Sequence, residues 1–257
     1  INLSGKVWCS FMASIDNVSS KARYRRILIK LSGEALASGG RDVLNHDIVF
    51  QICREIKNVS DMGVQVGIVV GGGNIWRGRQ GVKMDRTRAD HMGMLATTIN
   101  ALALADSFDQ LGVESRVMTA IEMKQFAEPY IRNKAVHHLN NGRIVIFGCG
   151  IGNPFFSTDT AAVMRAAEIG ADIVMLAKNV DGVYTADPRK DPTAVKLDTV
   201  DYKYIIQHEL RVIDSTAASF SKENNIPLLI FGLDNPKNIE RAVLGEKIGT
   251  LVIAPQN

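Results

Sequence analysis

Short apolar runs alternate along this chain with longer stretches in which apolar residues recur at helical spacing. Ile27-Leu28-Ile29-Lys30-Leu31, Val64 to Val70, Val113 to Met118, Arg143 to Phe147, Asp172 to Ala177, 227–231 and 249–253 read as strands. Ile48, Val49, Ile52, Cys53, Ile56 and Val59 share one helical face, with Asn45 or Asp47 as the cap and Gly63 as the stop. A long helix is expected over 89–111, with Met92, Leu95, Ala96, Ile99, Leu102 and Ala103 as its core-facing stripe and Asp90 in its first turn. Further helices are expected at 161–169, near 201–208, at 214–224 and at 236–244, with loops at 36–46, 79–88 and 179–192. This alternation predicts an α/β protein whose largely parallel sheet is covered on both faces. No repeat and no sharp linker divides it, so residues 21–257 are taken as one domain with a soft division near 150–160.

The polar residues with chemical promise stand where strands end. Strand 143–147 runs into Gly148-Cys149-Gly150-Ile151-Gly152-Asn153-Pro154-Phe155-Phe156-Ser157-Thr158-Asp159, just ahead of a helix. A glycine turn between a strand and a helix start offers backbone N–H groups to an anion. At the carboxyl edge of a parallel sheet such turns form ligand sites. Strand 64–70 ends likewise in Gly71-Gly72-Gly73-Asn74, with Arg77 placed to fork onto phosphate oxygens. Lys30 lies near the end of a buried strand, which is unusual for an unpaired charge. Either it reaches solvent at an edge or it is aimed at a phosphate, with Ser32 and Gly33 as backbone donors. Tyr184 beside Asp187 either holds a nucleotide base and ribose or belongs to a plain irregular loop, and Asp90 either accepts from a sugar diol or simply complements the helix N-terminus. Helix capping is the plain account of Asp214.

Composition narrows the class. With 257 residues, 46% hydrophobic and 22% charged, the chain has the make-up of a globular domain. No apolar run approaches the ~20 residues of a membrane span. The net charge of +3 permits anionic small molecules without demanding nucleic acid. Cys9, Cys53 and Cys149 show neither metal spacing nor a disulfide framework, which makes a reducing cytoplasm the default. His137 and His138 adjoin on a helix and diverge, so they are discounted as metal ligands. Residues 1–20 lack periodicity and are expected to be a disordered leader or expression remnant outside the fold.

Strand-end glycines, one lysine, one arginine and scattered aspartates suit phosphoryl transfer, in which a protein mainly positions and neutralises charge. The P-loop signature is absent. A dinucleotide fingerprint fails because its third glycine falls at Asn153 and no acidic residue ends the next strand.

Lys30-Leu31-Ser32-Gly33-Glu34-Ala35, Gly71-Gly72-Gly73-Asn74, Asp90-His91-Met92-Gly93-Met94-Leu95-Ala96, Gly152 to Asp159, and Val180-Asp181-Gly182-Val183-Tyr184 with Ala186-Asp187-Pro188 resemble the bacterial uridylate (UMP) kinases of the amino acid kinase superfamily. The likeness runs over roughly residues 24–254. It implies a three-layer α/β/α sandwich with a mostly parallel central sheet. The N-terminal half would mainly bind UMP and the C-terminal half ATP. The implied reaction is reversible transfer from Mg-ATP to UMP, giving ADP and UDP, in pyrimidine nucleotide biosynthesis. Mg2+ with ATP is the implied cofactor, and a homohexamer open to GTP or UTP is the implied assembly. By position, Lys30, Arg77, Asp159 and Asp214 would be catalytic, the two aspartates organising the lysine or the metal. Leu31, Ser32, Gly33, Gly73, Lys178, Asn179, Tyr184 and Asp187 would join Lys30 and Arg77 around ATP. Gly72, Asp90, Ile151, Gly152, Asn153, Pro154, Phe155, Phe156, Ser157 and Thr158 would hold UMP. Where relatives carry a GFGID-like segment linked to GTP activation, this chain has Gly39 to Leu44.

Two rivals stand beside this reading: a kinase of the same superfamily acting on a carboxylate or carbamate, and a nucleotide-sensing regulator that contacts DNA. A basic recognition helix for the latter is missing.

Overall fold

The computed structural model describes residues 22–37, 42–77, 83–188, 190–208, 210 and 212–254. The expected leader at 1–20, Gly39 to Arg41 and residues 78–82 of the basic segment lie outside the described residues.

Eleven strands and seven α-helices are found among them. In chain order they are β1 (Arg26–Leu31), α1 (His46–Asp61), β2 (Gln65–Val70), α2 (Arg86–Gln110), β3 (Ser115–Thr119), β4 (Glu128–Pro129), α3 (Arg132–Asn140), β5 (Ile144–Gly148), α4 (Thr158–Ile169), β6 (Ile173–Lys178), β7 (Val183–Tyr184), β8 (Lys196–Leu197), β9 (Thr199–Asp201), α5 (Tyr202–Gln207), α6 (Ser215–Glu223), β10 (Leu228–Gly232), α7 (Asn238–Val243) and β11 (Thr250–Ile253). Nine strands form one sheet in the order β4-β3-β5-β2-β1-β6-β10-β11-β9, parallel except for the β10–β11 pair. β7 and β8 form a separate antiparallel hairpin that the turn-rich connector did not predict.

The sheet is the middle of three layers. On one face α1, α2 and α7 bury Val49, Ile52, Leu104, Phe108, Ile239 and Val243. On the other, α3, α4, α5 and α6 bury Leu139, Ala162, Ala166, Tyr202 and Ala217. Central strands are covered twice, which is why they read as unbroken apolar runs. Helix starts follow their caps: Asn45 Oδ1 accepts the Ile48 N–H at 3.1 Å, and Asp85 Oδ1 accepts that of Arg88 at 3.1 Å.

α2 departs from expectation twice. Asp85 starts it three residues early, so Asp90 lies beyond its first turn. The stripe assigned to the core is largely outside it: Met92, Leu95, Ile99 and Leu102 are 38%, 51%, 50% and 37% exposed. The side facing the sheet carries Met94, Ala96, Thr97, Thr98, Asn100, Ala101 and Leu104 instead. Small residues win that side because the glycine loop after β2 presses on it. A Cβ at Gly72 would lie 2.8 Å from Ala96 Cβ and 3.0 Å from Gly93 O. The helix is thus apolar on two sides, and periodicity cannot tell which of them is buried.

Candidate functional site

Strand alternation decides where the lysines point. In β1, Ile27, Ile29 and Leu31 join the core under α1 and α2, whereas Leu28 joins the core under α4. Lys30 shares the parity of Leu28. In β6, Val174 and Leu176 face α4, and Lys178 shares their parity. β1 and β6 are neighbours, with Lys30 opposite Leu176. Two ammonium groups therefore converge on the start of α4. There Ser157 Oγ caps the helix, accepting from the N–H groups of Asp159 (3.0 Å) and Thr160 (3.1 Å).

Asp159, in the first turn of α4 and 8% exposed, takes both cations. Its Oδ1 lies 2.9 Å from Lys30 Nζ, and its Oδ2 accepts from Lys178 Nζ at 2.6 Å. Lys178 also donates to Val212 O at 2.5 Å. Burial opposes ionisation of Asp159, but Lys30 and Lys178 outweigh it and hold the carboxyl below the usual carboxylate range. Burial pushes the Lys178 ammonium down, Asp159 pulls it back up in part, and Lys30 adds to the depression. Two cations sharing one anion leave an excess positive charge at a helix N-terminus, which is a setting for an anionic ligand.

The glycine loops meet beside this cluster. A Cβ at Gly33 would stand 2.5 Å from Asn74 Oδ1 and 2.7 Å from Gly71 O, so only glycine lets the turns after β1 and β2 touch. Ser32 precedes a 3-10 turn over Gly33–Leu36. Leu31 is fully buried and its carbonyl accepts the Gly71 N–H at 2.9 Å, so it serves the sheet. Arg77 pairs with Glu34 and donates to Gly73 O at 3.2 Å. Glu34 also accepts from Asn179 Nδ2 at 3.4 Å, joining the two loops across the rim.

Two hollows adjoin the Lys30–Asp159–Lys178 cluster, one bordered by Lys178 and the other by Ser157 and Thr158 beside Asp159. The larger, about 920 Å³, is lined by Lys178, Asn179, Asp181, Tyr184, Asp187, Val212 and Asp234. It has the size of pockets that enclose whole small molecules, ~300–1,000 Å³. The smaller, about 130 Å³, is lined by Gly72, Trp76, Asp90, Gly93, Thr97, Cys149, Ile151, Asn153, Phe156, Ser157 and Thr158, and encloses only part of such a ligand. Gly152, Pro154 and Phe155 belong to the same turn without lining the smaller hollow. The Phe155 N–H instead donates to Asp90 Oδ2 at 2.8 Å. Arg86 Nε holds the same carboxylate at 2.8 and 3.0 Å.

Asp214 takes the capping role that its position at a helix start suggested. It caps α6, accepting from Ala217 N at 2.9 Å, and takes the hydroxyls of Thr160 (3.1 Å) and Ser157. It is a strut between α4 and α6, and no ion pair joins it to a lysine among the described residues. Its charge reaches Lys178 only as a minor influence. Lys178 stands in the charge cluster rather than among base-facing groups alone. The shared parity of two strand-end lysines was the overlooked signal. Also unanticipated is Asn100, fully buried on α2. Its Nδ2 donates to Gly71 O at 2.7 Å and to Asn74 Oδ1 at 2.8 Å, fixing the glycine loop. Thr97 Oγ1 likewise accepts the Cys149 N–H at 2.9 Å beneath the smaller hollow.

Cys53 and Cys149 are free and buried, and Cys9 lies outside the described residues. His138 approaches Glu128 at 3.2 Å, whereas His137 approaches Asn141. No helix among the described residues is long and apolar enough to cross a membrane. No cluster of three or more His, Cys, Asp and Glu among them could hold a metal.

The amino acid kinase family model matches residues 25–232. Three solved structures are similar over most of the chain. UMP kinase from Bacillus anthracis is 42% identical with a TM-score of 0.88, over 91% of this chain and 97% of that one. UMP kinase from Ureaplasma parvum is 36% identical with a TM-score of 0.86, over 90% and 99%. Uridylate kinase from Archaeoglobus fulgidus is 27% identical with a TM-score of 0.68, over 88% and 99%.

Proposed function

The chain belongs to the amino acid kinase family, in its UMP kinase branch, and from that premise we propose that it transfers the γ-phosphoryl group of Mg-ATP reversibly to UMP, giving ADP and UDP. One observation carries this reading: the buried Lys30–Asp159–Lys178 cluster adjoins both a cleft of nucleotide size, through Lys178, and a smaller hollow, through Ser157 and Thr158. ATP occupies the larger, its base and ribose towards Tyr184 and Asp187. UMP enters the smaller, with Asp90 on the ribose diol and the 151–158 turn around the base. The phosphates of both then meet at the cluster, near the turns carrying Ser32, Gly33, Gly72, Gly73 and Arg77.

The chemistry asks for charge placement rather than a base. A monophosphate ester is largely dianionic at neutral pH, its second pKa being about 6. Its oxygen bonds to the γ-phosphorus while the bond from that phosphorus to the β–γ bridging oxygen breaks. ADP leaves with the released electron pair, and no proton need move. Lys30 and Lys178 stabilise the charge spread over the transferred group, and Asp159 holds both in place. Transfer is direct: both oxygens of the Asp159 carboxylate are engaged by lysines and the Ser157 hydroxyl by Asp214, so neither is offered as a nucleophile. Mg2+ would come with ATP and supply positive charge to the transferred group, since no cluster of three or more His, Cys, Asp and Glu among the described residues could hold it alone.

The product feeds pyrimidine nucleotide synthesis, and the location is the cytoplasm. The exposed apolar side of α2 supports association of copies, for which the proposed assembly is a homohexamer. A coupled ADP-release assay with UMP, CMP, dTMP and AMP tests the reaction. UMP turns over well above the other three. Absence of UMP turnover, or equal turnover of CMP, refutes it.

A further inference from the structure

The nucleoside side of the larger cleft is built by residues 180–188, which include β7. β7 and β8 have two residues each and pair only with one another. A two-stranded hairpin is marginal on its own in water. Something must hold this one against the main sheet if it is to shape a binding wall.

Building on the assignment of the larger cleft to ATP, we propose that Thr250 is a positioning residue for that site, its buried hydroxyl pinning the β7–β8 hairpin to the central sheet. Thr250 is fully buried at the first position of β11. Its Oγ1 accepts the Val183 N–H at 2.8 Å and donates to Leu197 O at 2.5 Å. Val183 and Leu197 are cross-strand partners, so one hydroxyl grips both arms at a single rung. A hydroxyl can do this because it is donor and acceptor at once. Thr250 is itself anchored, since it pairs with Ile230 of β10, the neighbour of β6. Gly182, which lines the cleft, makes the approach possible: a Cβ there would lie 2.7 Å from Thr250 Oγ1. The Leu251 N–H donates to Asp198 O at 2.9 Å just beyond β8, a tether at the hairpin base. The Val183 arm also buries its side chain in the core, and the hydroxyl fixes its backbone, which runs on to Tyr184.

Loss of the hydroxyl strands a buried N–H and a half-buried carbonyl, and relief comes by the hairpin moving off the sheet. The effect falls on ATP, because the UMP hollow draws none of its lining from this hairpin. Thr250→Val keeps the shape and removes the hydrogen bonds, whereas Thr250→Ser keeps the hydroxyl. In steady-state kinetics on the full chain, Thr250→Val raises KM for ATP about 10-fold, the scale of one buried hydrogen-bonding group left unpaired. KM for UMP, and kcat at saturating ATP, stay near wild type. Thr250→Ser restores KM for ATP.

An unchanged KM for ATP in Thr250→Val overturns the proposal. So does an equal rise in both KM values, or a serine variant as impaired as valine. If the valine variant fails to fold, Thr250→Ala, which also lacks the hydroxyl, is expected to give the same split; equal effects on both substrates overturn the proposal there too. Calorimetric ATP binding separates this inference from the reaction it builds on. Wild-type protein that binds ATP but leaves UMP unphosphorylated refutes the acceptor assignment alone, and the ATP Kd of Thr250→Val then decides the role of Thr250. Wild-type protein that binds no ATP overturns both.

Discussion

Replacing Asp159 by asparagine removes the one negative charge held between Lys30 and Lys178. The shape and one hydrogen-bond acceptor survive, so the change is almost purely electrostatic. The side chains of Asp159, Lys30 and Lys178 are 11%, 10% and 17% exposed, too buried for water to replace the lost partner cheaply. At 2.9 and 2.6 Å, each attraction is on the order of 6 kcal/mol at an effective dielectric of ~20. Most of that offsets desolvation. Removing one partner of a buried pair leaves a net loss of about 3–5 kcal/mol. For a chain of this size, with ~2–4 °C per kcal/mol, melting should fall by roughly 6–20 °C. Turnover should fall ~10²–10³-fold, the cost of losing a preorganised electrostatic group.

Two controls make the argument refutable. Lys30→Met placed on the Asp159→Asn background removes a stranded cation and should recover part of the melting temperature, though not the turnover. Acid supplies the second. The lysines lower the folded pKa of Asp159 against the opposing effect of burial, so its contribution is complete above the unfolded value near ~3.9 and fades as pH falls through the lower folded value. Wild type and Asp159→Asn should therefore converge in stability in strong acid. An Asp159→Asn protein that melts with wild type at pH 7, or a gap that widens in acid, refutes the cluster as described.

Two further outcomes are expected. Asp90→Asn should raise KM for UMP ~10-fold or more while leaving KM for ATP alone, since hydrogen bonds to a charged partner contribute about 1.5–3 kcal/mol; matched effects on both substrates would remove Asp90 from the acceptor side. Leu95→Glu puts a charge on the exposed apolar side of α2 and should lower the mass measured by light scattering without lowering the melting point of the subunit, and a wild-type protein that is already monomeric ends the hexamer proposal.

Much of the architecture was legible from local pattern. The strand runs, the glycine turns and the helix start at Asn45 are consequences of nearby chemistry and emerge close to where the pattern puts them, whereas α4 begins at Thr158, three residues ahead of the expected Ala161, because Ser157 caps it. The short elements were not legible. β4, β7, β8 and β9 have two or three residues each, and nothing so brief carries a period. The burial of α2 was misjudged for a different reason: Met92, Leu95 and Ile99 form a better apolar stripe than the one that faces the sheet. Close approach of the glycine loop selects the small residues, and a chain read one residue at a time carries no record of that loop pressing there.

The sequence by itself determined the family, the parallel sheet and the presence of anion-binding turns at strand ends, because those depend on residues close together in the chain. Tertiary structure alone decided that Lys178 joins Lys30 on Asp159, that Asp214 also takes the hydroxyls of Ser157 and Thr160 on α4, and that Thr250 reaches the hairpin beside the larger cleft. Each of those partnerships depends on strand order and side-chain parity across β1, β6, β10 and β11. A charge or a hydroxyl finds its partner only after the sheet has placed distant segments side by side.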